Sequence, residues 1–546
     1  MGGLLLAQEP IRVNSRLVQV NVVVRDSHGP VTGLSKSNFT IFDKGKARPI
    51  AVFLAHLPDP KAASTSRREK NDALPPGVVT NRVEGPERPV SATVLLIDAL
   101  NTDFKDQQTA RKQILKFIAS LNYSADRTRR VAIYLLNTKI RVLQDFTDDP
   151  ALLRAAIEKY QGESSSSLRG ANEQVNIPPP NMSTTMLNDP TVAGMLESFN
   201  EMSDAHQVDR AQLTANALQQ IAVHLARVSG RKTLVWVSSG FPFYLINDER
   251  HSMLAANREE RSFQDEVTQS VHVLSAADIA IYPVDARGIV GMPVWDVANP
   301  AAPAMTLGTG RGRFGTRGNG QLGIAPVDTP DGFETMDDLA AGTGGRAFHN
   351  SNDLQAAVET AMEDADSSYT IAFYALDPPD ETFHAIKVKI DRAGAEARYR
   401  SSYYSTLIKP PTEGDRVALL ESAARSALDA TGIGLVAAAE RTGSKAAPSF
   451  HVALRIDVND LSLENRTGKW SGGCEAAFIT QSPDGATLAI VHKTITLALT
   501  DDVYAARKRD GVVLEQMIAP DPKIVRIRIA VVDHRSGVMG SLWLKP

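Results

Sequence analysis

Asp98, Asn101, Thr102 and Asp103 gather two carboxylates, an amide and a hydroxyl into one short stretch. They follow directly on the apolar run Val94-Leu95-Leu96-Ile97. Ser238 and Ser239 stand in the same relation to a second run, Thr233–Val237, and Asp285 to a third, Ile279–Val284. Oxygen-bearing side chains at the ends of buried strands suit ligand binding, because open α/β sheets take ligands at that edge. The same residue types also end strands and cap helices. Asp285 has two readings: it pairs with nearby Arg287, or it lies near Asp98 and adds a carboxylate. Ser238 and Ser239 sit where a hydrolase nucleophile would, but Trp236 and Val237 replace the glycine a nucleophile elbow needs.

Other catalytic signatures are absent: there is no H-E-x-x-H, C-x-x-C pair, Walker A or G-x-S-x-G. Gly310–Gly315 matches G-x-G-x-x-G, but neither a strand before it nor a helix after it supplies the context of a phosphate cradle. His384 and His349 read as surface positions. Cys474 is the lone cysteine, so no disulfide forms within the chain; it reads as a small buried apolar residue. A net charge of −4 gives no electrostatic case for nucleic acid. No apolar run reaches the ~20 residues that span a bilayer.

These residues need elements to position them. Short apolar runs fit strands buried on both faces of a mostly parallel sheet. After the first run, Ala110, Ile114, Phe117, Ile118 and Leu121 recur at helical spacing. Val131–Thr138 reads as another buried strand, Lys139–Phe146 as an edge strand and Arg210–Val228 as an amphipathic helix. This alternation predicts a doubly wound α/β domain over 91–366. Two non-periodic stretches, 161–206 and 288–330, read as mobile insertions.

The Asp98-Ala99-Leu100-Asn101-Thr102 segment resembles the Asp-x-Ser-x-Ser motif of a von Willebrand factor A (VWA) domain, the core of its metal-ion-dependent adhesion site. Asp98 matches the Asp and Thr102 the second Ser; Leu100 replaces the first. Ser239 stands where that family's Thr-Asp-Gly carries its Asp. Thr214, before Ala217-Leu218, is the best match to the remaining Thr ligand. The resemblance implies a degenerate metal site of Asp98, Thr102 and Thr214, with Mg²⁺ bound weakly or not at all. It implies partner contacts at Asn101, Asp103, Ser238, Ser239 and Asp285. The phrases VVVRDSHGPVTGLSKSNFTIFDKGKARPI, DDLAAGTGGRAF, ARYRSSYY and RIRIAVVDHRSGVMGSLWLKP are similar to the VWFA-related proteins of acidobacterial type, in which β-domains flank the VWA domain.

The expected layout follows. Residues 1–10 are a signal-like remnant or disordered. Residues 11–57 and 367–410 share a β-sandwich (its strands within 368–405), 58–90 form a linker, and 411–546 hold a short helix and a second β-sandwich-like domain. The expected function is non-enzymatic: a secreted or cell-envelope protein that binds a protein partner at the sheet's top edge. A serine hydrolase using Ser238 or Ser239 and a purely structural envelope protein are the alternatives.

Overall fold

The computed structural model describes residues 16–56, 75, 77–82, 91–121, 129–168, 189–228, 231–240, 264–288, 333–351, 353–375, 377–405, 409–443, 448–466 and 468–545. Val94–Ile97 lie at the centre of a sheet ordered Ile279–Asp285, Lys232–Ser238, Ser91–Asp98, Arg129–Leu136, Ile140–Thr147. The first three pairings are parallel and the last antiparallel. Val94 and Leu96 pack under helices Pro190–Leu225, Gln264–Ala276 and Phe333–Thr343. Leu95 and Ile97 pack on the opposite face, under Phe104–Ser120, Pro150–Lys159 and Leu354–Asp366. Burial on both faces explains an unbroken apolar run rather than alternation.

Four more sheets flank this one among the described residues, and all pair antiparallel. Arg16–Asp26 pairs with Ser368–Ala375, and Phe39–Asp43 with Thr382–Ile390. The two resulting sheets enclose one core, with Val18, Val20, Val22 and Val24 facing Ile41, Ile386 and Val388. Strands from residues far apart in the chain therefore share sheets, because neither segment alone has strands enough to cover an apolar face. The C-terminal sheets close on a second core built around Phe450, Leu454, Phe478 and Ile529. Its leading helix, Glu413–Arg425, starts at a capping box between Thr412 and Asp415.

Three expectations need correction. Residues 58–90 are not only linker: Val78–Thr80 is a strand of the C-terminal domain, paired with Val436–Ala438. The buried Asn81 amide next to it serves Ala430 O, Ile433 O and Leu435 N. The stretch 161–206 is partly helical, because the helix read from Arg210 begins at Pro190, capped by Asp189. Residues 169–188 and 289–332 lie outside the described residues, as do 1–15. His384 is not a surface residue: it is 1% exposed, held between Asp43 and Asp380 and bonded to Tyr403.

Two polar joints tie the flanking domains to the central one. Asp364, at the end of its helix, accepts from Arg25 and Arg398 of the first sandwich and from Tyr282. His224 bridges Tyr134 and Asp429 O, and Arg528 pairs with Asp429 from the C-terminal domain.

Candidate functional site

The strand ending at Asp98 leads into a helix on one face of the central sheet. Its neighbour, ending at Ser238, precedes a helix on the other face. The chain thus diverges at their C-terminal ends, the position where open α/β sheets form a binding crevice.

Asp98 lies at the floor of this crevice and is 0% exposed. Its Oδ1 accepts from the backbone N–H of Leu100 (3.1 Å) and Asn101 (2.9 Å). Its Oδ2 accepts from Asn101 Nδ2 (2.9 Å), Trp236 Nε1 (3.1 Å) and Ser238 Oγ (2.8 Å). Burial pushes the Asp98 carboxyl above its usual range, against the opposing pull of the Asn101, Ser238 and Trp236 hydrogen bonds. The second proton of the Asn101 amide goes to Thr214 Oγ1 at 3.0 Å. That hydroxyl donates in turn to Arg210 O. One amide nitrogen therefore sits between Asp98 and Thr214.

The other residues zip the two strand ends together. Thr102 Oγ1 accepts from Ser239 N at 3.0 Å, and Ser239 Oγ reaches Asn101 O at 3.4 Å. Gly240 is needed here, since a Cβ would stand 2.8 Å from Asn101 O. Ser238 is 0% exposed, and its bonds run to Asp98 and the Gly240 backbone, with no imidazole among them. Asp285 pairs with Arg287 through both oxygens and makes no hydrogen bond with Asp98. Asp103 takes the exposed N-cap position of the helix without a side-chain cap bond.

The crevice thus brings together Asp98, Asn101, Thr102, Thr214, Ser238 and Ser239, while Asp103 and Asp285 stand at its rim.

No protein-family model matches the chain, and no curated protein matches it. Among solved structures it is similar to the conserved hypothetical protein BatB from Bacteroides thetaiotaomicron, at 12% identity and TM-score 0.23 over 51% of this chain and 100% of that one. It is similar to the PilB minor pilin of Streptococcus sanguinis, at 11% identity and TM-score 0.25 over 52% of this chain and 62% of that one. The vWF domain of the type V pili tip protein Mfa5 from Porphyromonas gingivalis gives 13% identity and TM-score 0.15, over 28% and 38% of the two chains. Likenesses this low carry no argument about function, which rests on the site itself.

The residues present do not fit a bound cation. A carboxylate offers about four lone-pair positions, and four N–H groups already donate to Asp98. A metal would have to displace the Asn101 amide from both Asp98 and Thr214. Leu100, 0% exposed, is a core residue and supplies no oxygen where the resemblance has a serine.

Sequence reasoning missed three participants. Arg210 brings a largely buried guanidinium toward Asp98 and Asp103; burial lowers its pKa and those two charges oppose the shift. Trp236 entered the sequence reading only as part of an apolar run and as a residue in place of an elbow glycine, yet its indole N–H holds Asp98. Phe104 is 54% exposed at the crevice rim, with its ring against Gly162. Its place ahead of the helix's apolar stripe is the signal that could have found it.

Proposed function

We propose that the chain is a non-enzymatic, VWA-type interaction protein that engages a protein partner at the C-terminal edge of its central sheet without a cation. The observation that carries this reading is the Asn101 amide nitrogen held by both Asp98 Oδ2 and Thr214 Oγ1. Neutral donors fill the point where the resemblance calls for a metal. The recognition surface is then the rim: Asp103, Phe104 and Ser239, with Asp106 beneath them. Exposed aromatic residues beside polar groups are typical anchors of protein interfaces. Burial and the Asp103 charge raise the Asp106 pKa, against a hydrogen bond from Ser239. With acidic groups and no cation, this rim favours a partner carrying a basic side chain.

The hydrolase reading loses ground because Ser238 is buried against a carboxylate with no base beside it. A photo-crosslinking residue placed at Phe104 tests the proposal in fractionated extracts of the native organism. The account expects one discrete adduct that survives chelator and is absent when the probe is at exposed Ile490 of the C-terminal domain. An adduct abolished by chelator, or the same adduct from both positions, would overturn it.

A further inference from the structure

The C-terminal sandwich is closed on one side and open on the other. On the closed side its two sheets are laced together, where Ile433 N donates to Met539 O and Ser541 N to Ala430 O. On the open side the strands are Val512–Ile518 of one sheet and Thr487–Leu499 of the other. Each pairs with a single neighbouring strand among the described residues. The core records the difference. Phe478 and Leu454 are 0% exposed, whereas Val491, Ile495, Leu499 and Leu514 on the open side are only partly buried.

Exposed edges in natural sheets are kept short, charged, bulged or broken by proline. Thr487–Leu499 runs for thirteen residues. It holds no proline, no glycine and one fixed charge, Lys493. Its register with Lys469–Gln481 is unbroken from Ala489 to Leu499. The backbone N–H and C=O groups that face away from that partner form a template for one more strand. A strand added there would also cover Val491, Ile495 and Leu499.

The strand is complementary to itself. Antiparallel pairing about a twofold axis at Thr494 keeps each core-facing side chain on the core-facing side. Lys493 then falls opposite Ile495 of the other copy, Val491 opposite Leu497, and Ile490 opposite Ala498. Thr494 meets Thr494, a favourable cross-strand pair. An axis at Lys493 would set two like charges face to face, which is destabilising. The single charge therefore selects the register.

We propose that this edge is a homodimer interface, in which two copies of the chain pair Ala489–Leu499 antiparallel and make one sheet continuous across the dimer. The paired stretch is about 37 Å long at the usual rise of an antiparallel strand. Each dimer then carries two crevices, and linked binding events gain avidity. That consequence rests on the crevice reading; the dimer itself does not.

The test uses the full chain. Light scattering on a concentration series should give twice the mass of one chain for the wild type. Thr494→Lys places two lysines across the axis and should give the single-chain mass. Thr494→Cys supplies a second readout that stands even if the lysine variant fails to fold. Directly opposed residues in an antiparallel pair have Cα atoms about 4.5–5.5 Å apart, within reach of a disulfide. Cys474 is 0% exposed and does not compete. Mild oxidation should convert Thr494→Cys to a covalent dimer and leave Ile490→Cys largely uncrosslinked. A single-chain mass for the wild type throughout the series, a dimer mass that persists in Thr494→Lys, or equal crosslinking from the two cysteine variants would each overturn the proposal.

Discussion

Asp98 is a buried carboxylate held by donors alone, and its energetics follow from that. Replacing it with alanine removes the buried acceptor of the Leu100 and Asn101 backbone amides and takes one hydrogen bond each from the Asn101 amide, the Trp236 indole and the Ser238 hydroxyl. Breaking such an arrangement costs about 3–5 kcal/mol. Urea unfolding of Asp98→Ala should show that loss with and without Mg²⁺. Trp236→Phe removes one donor and leaves most of the packing, so it should cost about 1–2 kcal/mol in the same measurement. Asp98 and Thr102 were legible as a pair because they end an apolar run. The inward use of Asn101 was not, because its second acceptor lies on Thr214, in a helix distant in the sequence. Leu100 read as a missing ligand, whereas burial in the core is what it does.

At the scale of elements, the strand Ser91–Asp98 and helix Phe104–Ser120 were legible from a continuous run followed by a helical stripe. The strand Val78–Thr80 was not, since three residues in a polar stretch carry no period of their own. The helix Pro190–Leu225 begins with an Asp189 cap and Pro190, a start signal visible in the sequence. Its first half lacked an apolar stripe, and Met195 and Met202 there are exposed. Close packing of elements also makes a glycine indispensable. A Cβ on Gly345 would fall 1.8 Å from Ile281 O, in the strand beside Ser238. Gly345→Ala should force the loop after helix Phe333–Thr343 off the sheet and cost about 1–3 kcal/mol, read as a lowered thermal midpoint.

At the scale of the molecule, the joint between central and C-terminal domains carries a pH dependence. Burial lowers the His224 pKa, against the opposing effects of Asp429 O and nearby Asp145 and Asp429. The unfolded chain then takes up this proton before the folded one. The His224 contribution is complete above its unfolded value of about 6.5 and is lost as pH falls from there toward the lowered folded value. Urea midpoints between about pH 7.5 and 5 should fall for the wild type, with a flatter profile in His224→Gln. This joint was invisible in the sequence, because Tyr134, His224, Asp429 and Arg528 come from four separate segments. The alternating valines of Arg16–Asp26 were readable as a strand, and the low strand count pointed to distant pairing.

The central claim is that neutral donors occupy the place of a cation at the crevice. Calorimetric titration of the full chain with Mg²⁺ and with Mn²⁺, beside Asp98→Ala, tests it directly. The account predicts no saturable heat from either ion in wild type or variant. Sub-micromolar binding that Asp98→Ala abolishes would contradict it and identify a working adhesion site.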